Sequence, residues 1–169
     1  MKMTVVLLMI TATLTALIGG LFYAYSCSVI PGLGKLSDVE YLKAMQSINR
    51  EILNPVFFLS FMGTAIMLPV TTLIFRGENP TFIFLLSATL VYLTGVFGVT
   101  MFGNVPLNNQ LDQFDIASST VDTVKKMRAV FENRWNFLNH IRSICSVVSI
   151  ILVACACIWY KFQGIPSGS

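Results

Sequence analysis

WNFLNHIRSICSVVSIILVACACIWY, residues 135–160, opens with tryptophan, two asparagines, the chain's single histidine and an arginine, and then turns almost wholly apolar. No charged residue occurs from Ser143 to Tyr160. Three other stretches share that property, Val5 to Pro31, Pro55 to Phe75 and Pro80 to Phe102. A helix needs about 20 mostly apolar residues to cross a hydrocarbon core, and each stretch is close to or beyond that length. Backbone amides in lipid must be paired within their own segment, so the four runs predict four helices.

Composition points the same way. Hydrophobic residues make up 55% of the chain and charged residues 11%, against roughly a quarter charged in soluble domains. The first run follows Lys2 as a secretory leader would, but it is about twice the usual length of a leader's apolar core, with no small-x-small cleavage site in a polar setting. It reads as a retained span. The expected fold is all-α, an antiparallel four-helix transmembrane bundle in one domain over residues 1–163, with spans at about 4–30, 54–75, 81–102 and 139–160. Residues 164–169 read as a flexible tail, and Pro166 to Ser169 resembles an expression scar.

The turn Arg76-Gly-Glu-Asn-Pro80 is short enough to make the second and third spans antiparallel neighbours. Both long loops therefore lie on one membrane side. In the first, Ser37-Asp-Val-Glu40 is a capping-box pattern opening a short helix, with Val39, Leu42, Met45, Ile48 and Ile52 at helical spacing. The second, from Gly103 to Leu138, is expected to begin irregularly, because Pro106 removes a donor and obstructs a helix continuing from Asn104. From about residue 120 one unbroken helix should run to about residue 160. Lys35, Lys43, Arg50, Lys125, Lys126, Arg128 and Arg134 lie on the loop side, and Lys2, Arg76 and Lys161 on the other. The positive-inside rule places the loops in the cytoplasm.

On a wheel of about 100° per residue, Arg142, Trp135, Asn139, Glu132, Ser143, Asn136, His140 and Asn133 spread over one half of the last helix. Phe131, Phe137, Leu138, Ile141 and Arg134 take the other half. Such a polar face at the membrane boundary is expected to look into the bundle, since ionisable groups in a bilayer centre cost about 2.5 kcal/mol or more. Asn49, Asn54, Asn104 and Asn108 share its membrane side.

Several classes are excluded or disfavoured. A net charge of +3, scattered along the chain, does not describe a nucleic-acid binder. Cys155 and Cys157 point about 200° apart on a helix and cannot hold one metal together. With Cys27 and Cys145 they imply no disulfide framework. One histidine and spans without carboxylates predict no metal site.

Four stretches, GGLFYAYSCSVIPGL (19–33), AMQSINREILNP (44–55), GNVPLNNQLD (103–112) and RWNFLNHIRS (134–143), together resemble the anthrone oxygenase-like family of small four-span membrane proteins. Members acting on polyketides convert anthrones to anthraquinones with dioxygen and no evident metal or flavin. The resemblance implies a membrane-embedded, cofactor-independent oxygenase (a monooxygenase) whose partners are the bilayer and a lipophilic small molecule. By position, Asn104, Pro106, Asn108, Trp135, His140 and Arg142 match its polar motifs.

On that reading His140 is the expected general base for an acidic CH, the one group with an ordinary pKa near 7. Arg142 with Asn108 or Asn104 would hold the resulting enolate or phenolate oxygen. Trp135 with Tyr23 or Phe22 would sandwich a flat substrate, and Asn139 and Asn49 would complete the binding set. The alternative is a non-catalytic membrane protein that binds a lipophilic ligand or partner, with the polar cluster as an anchor. Homo-oligomerisation is compatible with either.

Overall fold

The computed structural model describes residues 3–163, without the side chains of 162 and 163, so the tail assignment lies outside the described residues. Five helices carry the fold: α1 (Met3–Leu33), α2 (Asp38–Glu51), α3 (Pro55–Ile74), α4 (Thr81–Asp112) and α5 (Val121–Gln163). No strand occurs among the described residues. All but α2 are long and apolar enough to cross a membrane. Around the bundle α1 packs on α3 and α5, and α4 packs on the same two helices from the other side. Neighbours run antiparallel. The protein is an integral membrane four-helix bundle.

Helix α5 has 43 residues, which at about 1.5 Å each rise roughly 65 Å, about twice a hydrocarbon core of roughly 30 Å. Its N-terminal half therefore extends beyond the membrane, and α2 packs there. The Ser37–Glu40 capping box forms as its sequence pattern predicts, the Ser37 hydroxyl accepting from the Glu40 amide and the Glu40 carboxylate accepting from Ser37. Those bonds hold the Glu40 carboxyl below its ordinary pKa. Tyr41, Leu42 and Met45 of α2 are buried against Leu107 and Leu111 of α4 and Val124, Phe131 and Trp135 of α5. Burial raises the Tyr41 phenol above its ordinary pKa.

Polar ties fix the same cap. Gln46 donates to the carbonyls of Leu111 and Phe114 at 2.8 and 3.0 Å. Arg128 reaches the Leu36 carbonyl, Asp38 and Glu132 at 2.7, 3.0 and 2.8 Å, lying over the Tyr41 ring.

One expectation needs correction. The segment after Gly103 is not irregular, because α4 continues through Pro106 to Asp112. Two wide turns, Leu93–Gly98 and Thr100–Asn104, have π geometry, and the Val105 amide reaches back five residues to the Thr100 carbonyl. Pro106 then falls in the first turn of the ordinary helix that follows, where a missing N–H is tolerated. The inserted register absorbs the proline instead of ending the helix.

Candidate functional site

Where the cap meets the bundle, a cavity of about 80 Å³ is lined from all five helices. Helix α1 supplies Leu21, Phe22 and Tyr25, and α2 with its exit supplies Ile48, Asn49, Ile52 and Leu53. Phe57 comes from α3, Thr100, Asn104, Val105 and Asn108 from α4, and Trp135, Asn139 and Arg142 from α5. A second chamber of about 130 Å³ shares Asn49, Leu53, Val105 and Asn108 with the first and adds Arg50, Asn109 and Asp112. The Arg50–Asp112 ion pair, at 2.6 Å, joins α2 to α4 beside this outer chamber. The two volumes adjoin through these shared residues, the first an inner room and the second a more polar outer room.

The inner room is built around Arg142. Its spacing from Trp135 and Asn139 places all three on one stripe of α5, and all three are buried. The guanidinium donates to Asn139 Oδ1 at 2.8 Å and approaches Thr100 Oγ1 at 3.4 Å. It lies 4.4 Å from the Phe22 ring centroid and 5.4 Å from that of Trp135. Among the described residues no carboxylate pairs with it, and its Nε has no partner.

Asn104, 1% exposed, has neither its oxygen nor its nitrogen hydrogen-bonded, and the Asn49 amide nitrogen is likewise unpartnered. A buried polar group left unmade costs about 1–3 kcal/mol, and a charged one more. Four such atoms, from Arg142, Asn104 and Asn49, belong to residues that line this one cavity.

Asn139 has a different part. Its oxygen accepts from Arg142 and its nitrogen donates to Ser26, which hydrogen-bonds Ser143 at 2.7 Å. This chain orients the guanidinium and ties α1 to α5. Trp135 Nε1 donates to Asn108 Oδ1 at 2.9 Å, and its ring lies 5.6 Å from that of Tyr25. The wide turns at Tyr25–Val29 and Thr100–Asn104 contribute Tyr25, Ser26, Thr100 and Asn104 to this region.

Of the residues singled out from sequence, the fold brings Arg142, Trp135, Asn139, Asn104, Asn108 and Asn49 together. Two stand elsewhere. His140 is exposed on the outer face of α5 and lines neither chamber. It follows Asn139 by one residue, hence by about 100° of rotation, and the inward arc is narrower than half the helix. The same rotation explains Phe131, which is buried where the wheel had put it on the opposite arc. Tyr23, 59% exposed, also faces outward, and Phe22 and Tyr25 occupy the room in its place. Asn54 caps α3 by accepting from the Phe57 amide.

Tyr25, Thr100, Phe57 and Ser26 were not marked by the sequence. The apolar residues of α1 are spread round the helix and leave no clear periodic signal for its inward face. Among the described residues, no three His, Cys, Asp or Glu side chains gather as metal ligands.

The sequence profile of the anthrone oxygenase family matches residues 44–152, from α2 into the membrane part of α5. The chain belongs to the anthrone oxygenase family. No curated protein and no solved structure matches it. The matched region of this anthrone oxygenase family member includes every cavity residue contributed by α2 through α5, and leaves those of α1 outside it.

Proposed function

We propose that the protein is a membrane-embedded, cofactor-independent oxygenase that takes a lipophilic aromatic substrate bearing an acidic CH, of anthrone or quinol-like type, into the two-chamber cavity. The loop end faces the cytoplasm on this reading. The observation that carries it is Arg142, a buried cation with a free Nε and no carboxylate, opposite an Asn104 whose amide is wholly unpartnered. That pair suits an oxygen that becomes negative during reaction, and a preorganised donor of this kind contributes about 10²–10³ in rate.

In an anthrone the ketone oxygen gains that charge as the CH ionises. The guanidinium lowers the free energy of the anion, so that the CH proton can pass to solvent without a strong base beside it. The carbanion then adds dioxygen to give a peroxide, and loss of water from the hydroperoxide leaves a ketone. Overall, a CH₂ and O₂ become C=O and H₂O. Trp135, Phe22 and Tyr25 supply the aromatic walls.

Size constrains the pose. A cavity of roughly 150 Å³ holds one benzene, so the inner room of about 80 Å³ is too small for the whole substrate, which on this reading extends from Arg142 and Tyr25 into the outer room. A His140 base is not part of this proposal, since its side chain lies outside both rooms.

The test is oxygen uptake and quinone absorbance with purified protein in nanodiscs supplied with an anthrone. Arg142→Met should lower turnover by about a hundredfold or more and leave a folded bundle. Turnover within threefold of the parent would sink the proposal. The Asn139–Ser26–Ser143 chain favours a second reading, in which the cluster anchors helices around a bound lipophile without chemistry. That reading predicts no oxygen uptake by the parent and loss of folding in Arg142→Met.

A further inference from the structure

Oxygenation of a CH₂ to a ketone needs protons moved at two points after the anion forms. The peroxide must be protonated, and the second CH proton must leave as the O–O bond breaks. Among the residues lining the inner room, Tyr25 and Arg142 carry the ionisable side chains, and the guanidinium is poorly suited to giving up a proton.

Tyr25 is placed for the task in three respects. It is half-buried in the wall, with its ring 5.6 Å from Trp135, the residue over which Arg142 also lies. It opens the π turn Tyr25–Val29, and such turns often mark functional positions. Its hydroxyl makes no hydrogen bond to any described residue, whereas the buried Tyr92 phenol of the membrane core donates to the Phe61 carbonyl at 2.8 Å.

We infer that Tyr25 is a catalytic residue of this site, a phenol that lends one proton to the peroxide and recovers it from the substrate. The inference rests on the oxygenase reading above. In the first step the substrate carbanion and O₂ form a C–O bond, giving a peroxide anion that takes the Tyr25 proton. The products are a hydroperoxide and a Tyr25 phenolate, which shares its room with the Arg142 charge. In the second step the phenolate removes the remaining hydrogen from the same carbon. The C–H electron pair becomes the second bond of C=O, the O–O bond breaks, and hydroxide departs. Hydroxide combines with the proton released when the substrate first ionised and becomes water. Tyr25 ends as it began, and no oxidant besides dioxygen is consumed.

The experiment is single-turnover mixing of the nanodisc protein with an anthrone in oxygenated buffer, following oxygen, quinone and trapped hydroperoxide separately. Tyr25→Phe keeps the ring and its contact with Trp135. It should still consume oxygen in the first turnover while quinone formation slows by about a hundredfold and hydroperoxide accumulates. Quinone formation at the parent rate would overturn the role of Tyr25 and leave the oxygenase reading standing. Parallel loss of oxygen consumption and substrate binding would also overturn it, by showing a packing role. A parent that consumes no oxygen overturns both. Ring-fluorinated tyrosine incorporated at position 25 keeps the test decisive should Tyr25→Phe not fold, because it acidifies the phenol in the same shape. A change of twofold or more in hydroperoxide breakdown is expected, and an unchanged rate overturns the inference.

Discussion

The same four long helices treat polar side chains in two ways. In the half of the bundle away from the loops, hydroxyls close on one another across helix interfaces: Thr11 with Thr71 at 2.8 Å, and Thr72 with Thr89 at 2.9 Å. Thr72 and Thr89 also bond carbonyls of their own helices, one turn back. Thr81 and Ser146 are the hydroxyls left over. At the loop end the unpartnered groups are larger and more costly: the Arg142 Nε, both amide atoms of Asn104, the Asn49 nitrogen and the Asn136 oxygen. In the first region polarity joins helices; in the second the Asn139–Ser26–Ser143 chain does so too, but Arg142, Asn104 and Asn49 line a cavity. Burying unmade hydrogen bonds weakens a fold, so their concentration at one end is the feature on which the proposed binding role of that end rests.

The largest effect that would break this division is expected at a helix contact in the membrane half. Gly95 of α4 sits so close to α5 that a Cβ there would collide with the Cys145 sulfur. Gly95→Leu should cost about 3 kcal/mol, the upper part of the usual range for overpacking, read as a lower thermal midpoint in detergent. A midpoint equal to the parent's would mean that the helices do not meet this closely. At the cap the expected cost is smaller. Arg128→Ala removes ties to Leu36, Asp38 and Glu132 from a side chain only 13% exposed, and should cost about 2 kcal/mol. Limited proteolysis between residues 33 and 38 should quicken, with the membrane half still protected. Equal cleavage in parent and variant would show that the cap is held by its apolar core alone.

How far the sequence could be read follows the same division. Apolar runs, a capping box and a long stretch free of proline and glycine gave the bundle, α2 and the unbroken α5, because each is a local signal. Asn104, Asn108, Trp135, Asn139 and Arg142 could be found because polar residues on apolar helices are conspicuous. What stayed hidden depended on angles that one helix does not set by itself. The inward arc of α5 is fixed by packing against α1 and α4, and it excludes His140. The π turns that carry α4 past Pro106 leave no simple mark in the sequence. Tyr25 and Tyr23 are two residues apart in an α1 whose apolar residues are spread round the helix, so sequence could not say which of them faces the cavity.

The smallest expected effect is also the one that most sharpens the comparison between site and surroundings. His140 has the chemistry that a base for an acidic CH would use, and its neighbours on either side in the sequence, Asn139 and Ile141, are turned differently by the helix. Asn139 is fully buried, while His140 is exposed beside Phe137, itself 64% exposed, and Ile144, 65% exposed. Glutamine at this position keeps much of the size and the capacity for hydrogen bonds, and loses the titratable nitrogen. If proton transfer takes place inside the cavity, His140→Gln should leave the turnover of an anthrone within twofold of the parent and shift stability by no more than about 0.5 kcal/mol, as at most surface positions. If the histidine swings inward or acts through water, turnover should fall about a hundredfold, the contribution of a positioned base. Steady-state oxygen uptake and thermal melting of the one variant decide between these outcomes. A hundredfold loss with an unchanged melting point would return the base to His140, acting through water or after a rotation of α5.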